Sequence, residues 1–225
     1  MHALKHALRF EATIDAVYTD DLEALVDLAG TLAPDIADRL DGLAEPLPAD
    51  VFASLAPKQP ETGVLAIARR PSIDPDLFLG ATRKTPAVWL EHPAHFGNIG
   101  AVVRVAAAAG ASAVFSSGRH DPWDPAALRG SAGLHFALPV IGMQGLPKQS
   151  GPLIAIDPDG ERLQPSTIPA GALLAFGSER HGLSPDILGA ADQRLALPMR
   201  PLVSSLNLAT AVAAVLYAWR LETGR

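Results

Sequence analysis

The sequence predicts an α/β protein in which a parallel-sheet domain follows a small α/β unit. Two observations carry this. From residue 87 onward short apolar runs alternate with helical stretches, the pattern of strands joined by crossover helices. A length of 225 residues is long for one domain and short for two large ones, so a main domain with a smaller appendage is expected.

Within residues 1–70, positions 4–9 read as a short helix, 14–18 as a strand, 20–29 as a helix capped by Asp20 or Asp21, 34–40 as another helix, and 63–68 as a closing strand. Residues 71–86 contain Pro71, Pro75 and Pro86 among mixed polar residues and mark a linker. The main domain then spans 87–225. Its strands fall at 87–90, 113–115, 136–140, 153–156, 173–176 and 195–197. Its helices fall at 98–109, 125–131, near 185–188, and in the apolar segment 208–221.

An apolar fraction of 48% is ample for a core, and the absence of cysteine excludes disulfides, thiolate zinc sites and cysteine nucleophiles. The first residues hold no apolar run of signal-peptide length, and no window reaches the roughly eighteen uninterrupted apolar residues of a membrane span. A cytoplasmic protein with no membrane partner is expected. The formal charge of −6 argues against a protein that grips nucleic acid by charge alone. Its distribution is uneven: between Asp15 and Asp50 Arg39 is the lone base, whereas Arg104, Arg119, Arg129, Arg180 and Arg200 come later. A nucleic-acid surface would belong to the later part.

Three turns attract function. Phe96-Gly97-Asn98-Ile99-Gly100, Ala175-Phe176-Gly177-Ser178-Glu179 and Leu197-Pro198-Met199-Arg200-Pro201 through Ser204-Ser205-Leu206-Asn207 each follow a predicted strand and precede a helix. In open parallel sheets ligands sit beyond the carboxyl ends of strands, where these turns converge. Pro198 and Pro201 stiffen the last loop, Ser204 or Ser205 is placed to cap the final helix, and Asn98 is placed to cap the helix after it. No G-x-G-x-x-G occurs, so a dinucleotide site is disfavoured. Glu91, His92 and His95 suggest a metal only weakly, and none is expected. Arg104 lies off the apolar stripe Ile99, Val102, Val103, Ala106 and Ala107, among small residues that leave it room to extend.

Taken in order, these stretches closely resemble the signature motifs of the SpoU (TrmH-like) family of SPOUT RNA methyltransferases, over roughly residues 87–220. The resemblance implies a SPOUT methyltransferase domain with a C-terminal deep trefoil knot, and transfer of a methyl group from S-adenosylmethionine to a ribose 2′-hydroxyl of tRNA or rRNA. It assigns catalytic roles to Arg104, Asn98, Glu179, Ser205 and Asn207. It places the methyl donor on Gly177, Ser178, Glu179, Leu197, Pro198, Met199, Ser205 and Leu206. Departures are Phe96, where a Pro is commoner, and Arg180 and His181 after the motif Glu.

The first unit resembles the substrate-recognition domain that often precedes this catalytic domain. Its customary first strand would lie before Met1, so either it is trimmed or it grips RNA through Lys5, Arg9 and Lys58. A packing or dimer-supporting appendage is the other reading. The last helix is apolar around most of its circumference, and the resemblance implies a homodimer packed through it. The rival from another class is a non-catalytic RNA-binding or assembly protein on the same scaffold.

Overall fold

The computed structural model describes residues 1–56, 60–79, 83–148 and 151–224, so Lys58 lies outside the described residues. The chain forms two compact units, Met1–Pro71 and Ser72–Arg225.

In the first unit α1 (His2–Arg9), β1 (Ile14–Thr19), α2 (Leu22–Leu32), α3 (Ala37–Asp41), β2 (Ala44–Pro46), α4 (Ala49–Ser54) and β3 (Val64–Ala68) build a sheet of order β2-β1-β3. Leu4 and Leu8, on one face of α1, bury against Val17, Leu25, Ala29 and Leu40. Asp21 is the α2 cap, accepting from the Ala24 N–H at 3.0 Å. The two elements the sequence does not announce, β2 and α4, are too short to show a period. This unit holds six Lys and Arg against twelve Asp and Glu, so the whole net charge of −6 resides in it and the second unit is neutral.

The second unit contains β4 (Ala87–Leu90), α5 (Phe96–Ala109), β5 (Val114–Ser117), α6 (Pro125–Gly130), β6 (Val140–Met143), β7 (Leu153–Arg162), β8 (Leu173–Phe176), α7 (Pro185–Ala190), β9 (Gln193–Ala196) and α8 (Leu208–Thr223). Its six strands are all parallel, in the order β6-β5-β4-β8-β7-β9. Strands β4, β5 and β8 are buried at every position, as parallel strands are when elements cover each side. On β4, Val88 and Leu90 pack with Val102, Val103, Val212, Val215 and Trp219 of α5 and α8, while Ala87 and Trp89 pack with Leu183 and Ile187. Arg220 ties α8 to the end of α5 by donating to the Ala109 carbonyl at 2.8 Å.

Several boundaries differ from the sequence expectation. Of residues 71–86, expected as linker, the described 72–79 and 83–86 belong to the second unit. Leu79 is buried beside Trp89, and Arg83 donates to the carbonyls of Phe78 at 2.7 Å and Gly171 at 2.5 Å. The strand expected at 136–140 begins only at Val140, because Leu134–Phe136 forms a 3-10 turn and Pro139 cannot donate to a ladder. Strand β7 runs past Ile156, but its pairing with β9 jumps between Ile156 and Glu161, so 157–160 bulge out of the sheet. Gly160 fits there because a side chain would strike the backbone of Arg194 and Leu195. Among the described residues no helix is long and apolar enough to cross a membrane.

Candidate active site

A cavity of about 370 Å³ opens where β8 and β9 end, beside the bulge of β7. Ile156, Asp157 and Pro158 form its wall from the β7 bulge; Phe176, Gly177, Ser178, Glu179, Arg180 and Gly182 come from the turn after β8. Leu197, Met199, Ser204, Ser205 and Leu206 come from the loop after β9, and Leu208 and Ala211 from α8. Of the eight residues expected around the methyl donor, Pro198 is the one outside this lining.

The turn after β8 is a small closed loop. The Ser178 N–H donates to the Gly182 carbonyl at 3.1 Å and the Gly182 N–H returns to the Ser178 carbonyl at 3.0 Å. Gly177 has no alternative, since a Cβ there would meet the backbone of Gly182 and Leu183. Backbone therefore stands bare at the cavity, where a ligand can approach it closely.

The final helix is capped differently from the expectation. Asn207, not Ser204 or Ser205, is the N-cap: its Oδ1 accepts from Ala209 N–H at 2.9 Å and Thr210 N–H at 3.4 Å. The two serines are exposed on the loop and face the cavity instead. Asn98 is likewise no cap. Helix α5 starts at Phe96 after His95, which puts Asn98 inside the first turn with its side chain free for other work.

That work is a relay joining three elements. Asn207 Nδ2 donates to Asn98 Oδ1 at 3.1 Å, and Asn98 Nδ2 donates to Glu179 Oε1. Glu179 Oε2 accepts the Ala94 N–H at 3.0 Å. Each partner fixes the next: the α8 amides need an oxygen, so Asn207 must turn its nitrogen to Asn98, which must turn its own to the carboxylate. Partial burial alone would raise the Glu179 pKa. The hydrogen bonds from Asn98 and the Ala94 N–H, with the charge of nearby His95, outweigh it and hold the carboxyl below its ordinary range.

Arg104 stands apart from this relay. It is exposed in the third turn of α5, about 9 Å along the axis from Asn98, and does not line the cavity. It makes no ion pair among the described residues, and Arg119, Arg180 and Arg200 are equally unpaired and exposed. The structure thus brings together Asn98, Glu179 and Asn207, places Glu179 and Ser205 on the cavity lining, and leaves Arg104 apart from both the relay and the cavity. Sequence reasoning missed Asp157 and Pro158, because Asp-Pro after Ile156 reads as the end of a strand. Glu91, weighed there only as a metal ligand, hydrogen-bonds Ser184 instead. Among the described residues no group of three or more His, Asp or Glu could hold a metal ion.

Residues 86–217 match the SpoU rRNA Methylase family. The chain is 36% identical over 135 residues to an uncharacterized tRNA/rRNA methyltransferase of Synechocystis, covering 56% of this chain and 49% of that protein. It is 29% identical over 180 residues to the 23S rRNA (uridine(2479)-2′-O)-methyltransferase of Streptomyces viridochromogenes, covering 68% and 58%. The chain thus spans about half to three-fifths of the length of these relatives. The crystal structure of the SpoU methyltransferase AviRb from Streptomyces viridochromogenes, in complex with AdoMet, superposes with a TM-score of 0.77 at 24% identity, covering 99% of this chain and 88% of that one. A parallel six-stranded α/β unit with its cavity at the carboxyl edge, and a family match over more than half the chain, define the class. The chain belongs to the SpoU methylase family.

Proposed function

We propose that the chain is an S-adenosylmethionine-dependent RNA methyltransferase acting on a ribose 2′-hydroxyl of tRNA or rRNA. The observation that carries this is the Asn98–Glu179–Asn207 relay at the edge of a cavity whose walls are largely backbone and apolar side chains. The residues fit the methyl donor. About 370 Å³ lies within the range of small-molecule sites, the bare backbone at Gly177 suits a nucleobase edge, and Ile156, Met199, Leu206 and Leu208 suit the apolar faces of an adenosine.

When bound, the donor would supply an electrophilic methyl on a cationic sulfonium: attack by the ribose O2′ would form the C–O bond as the C–S bond breaks, leaving neutral S-adenosylhomocysteine and releasing the hydroxyl proton to solvent. Glu179 presents a negative charge on the cavity wall, while Asn98 and Asn207 keep it oriented. Arg104 is the group assigned to the hydroxyl and its neighbouring phosphate, through a guanidinium fork that favours developing negative charge. A guanidinium keeps its protons in proteins, which suits activation and positioning better than proton removal. Its exposed, unpaired place on α5 leaves it available to a substrate arriving from solvent.

The reading includes a homodimer. On α8 Thr210, Tyr217 and Leu221 form an exposed stripe at helical spacing opposite the buried face, and Leu202, Val203 and Leu206 are exposed nearby in sequence. It also includes the trefoil knot, supported by a chain that leaves β9 at one sheet edge and returns as α8 onto α5. The first unit fits a packing appendage better than an RNA grip, since Arg9 is tied to Asp35 at 2.6 Å and the unit holds the full negative excess. Calorimetry with S-adenosylmethionine and its demethylated product tests the first step. Binding in the micromolar range is expected, and no binding at millimolar concentration would sink the reading.

A further inference from the structure

We propose that Glu91 is a positioning residue for the methyl-donor cavity: it holds the Gly177–Leu183 turn in place from outside. The inference rests on the reading of that cavity given above. Glu91 directly follows β4 and is 8% exposed. Its backbone N–H donates to the Phe176 carbonyl at 2.9 Å, where β8 ends and the turn begins. Its carboxylate takes up the other end: Ser184 N–H donates to Oε2 at 2.7 Å and Ser184 Oγ to Oε1 at 2.6 Å. One residue therefore grips the turn at both feet.

The geometry is reciprocal. Glu91, from the segment that leads into α5, binds the far end of the turn, and Glu179, from the turn, binds Ala94 of that segment and Asn98 in the first turn of α5. The segment is held in an uncommon conformation between these bonds, with His92 at φ 49. Ser184 also caps α7, accepting from Ile187 N–H at 3.3 Å, so its hydroxyl proton has Glu91 as its outlet. Without the carboxylate, the Ser184 N–H loses its partner, and the turn that exposes backbone to the donor keeps its Phe176 foot and the Glu179 bonds but loses its anchor at the Ser184 end.

Glu91→Ala and Glu91→Gln, each checked by a thermal melt, test this. The glutamine retains one acceptor for the Ser184 N–H and is the milder change. Hydrogen exchange should rise about tenfold or more at the Ser178 and Gly182 amides in Glu91→Ala, with β4 and β5 amides unchanged and Glu91→Gln between. The Kd for S-adenosylhomocysteine, and the donor KM, should rise about tenfold or more while kcat falls less. A folded Glu91→Ala protein with wild-type exchange in the turn and wild-type Kd overturns the proposal. If the alanine variant does not fold, the same result in Glu91→Gln overturns it. Should the wild-type protein bind no donor, the functional reading fails, and exchange in the turn alone decides the role of Glu91.

Discussion

Asn207 Nδ2 reaches Asn98 Oδ1 at 3.1 Å, joining residues 109 positions apart, and the same Asn207 caps α8 with its oxygen. One side chain thus fixes a helix and orients a site. Asn207→Ser separates the two tasks, because serine is a comparable N-cap but cannot span to Asn98. The melting temperature should stay within a few degrees of wild type while methyl transfer falls about tenfold to a hundredfold. Parallel melts and single-turnover assays check this, and unimpaired turnover would remove the bond from the mechanism.

Glu179 makes the relay sensitive to acid. Its folded pKa is lowered, so its contribution to stability is fully present above the unfolded value, about 4.3 for glutamate, and is lost as pH falls through the folded value. Melting temperatures of wild type and Glu179→Gln should therefore converge as pH drops from about 5 toward 3. Curves that stay parallel through this window would mean that the carboxylate contributes nothing by its charge.

Gly177→Ala places a methyl group against the backbone of Gly182 and Leu183. Overpacking of this kind costs about 1–3 kcal/mol, and the turn should shift out of the cavity. Donor binding measured by calorimetry should be lost in a protein that still melts cooperatively. Undiminished binding would show that the ligand does not rest on this turn.

Much of this arrangement is legible in the sequence. Short apolar runs mark β4, β5 and β8 because strands buried on both faces need no polar alternation, and Gly-containing turns mark where those strands end. The pairings across the site are not legible. Whether Ser204, Ser205 or Asn207 caps α8 depends on where the loop after Pro201 delivers the chain, and three good caps within four residues look alike from composition. Glu91 reads as no more than a weak metal-ligand candidate beside two histidines until the fold brings Ser184, 93 positions away, within 2.6 Å. The β7 bulge hides behind Pro158 and Gly160, which signal a strand end and here accompany a detour.

For the dimer, Leu221→Glu combined with Tyr217→Glu puts two charges on the exposed stripe of α8 without touching its buried face. Light scattering should show a dimer for wild type and a monomer for the variant, since unpaired charge in an apolar interface is strongly unfavourable. A wild-type monomer at every concentration would rule the dimer out, and a variant dimer would place the interface elsewhere.

The central claim is ribose methylation of RNA, and the most direct measurement maps 2′-O-methyl groups across the cellular tRNA and rRNA with and without this protein. At least one ribose methyl group should vanish on deletion, return with the wild-type chain, and fail to return with Arg104→Ala, whose loss is expected at about a hundredfold to a thousandfold in rate. Arg104→Lys should restore little, since it keeps the charge and loses the planar fork. A map unchanged by deletion would contradict the assignment, and full restoration by a folded Arg104→Ala protein would remove Arg104 from the chemistry.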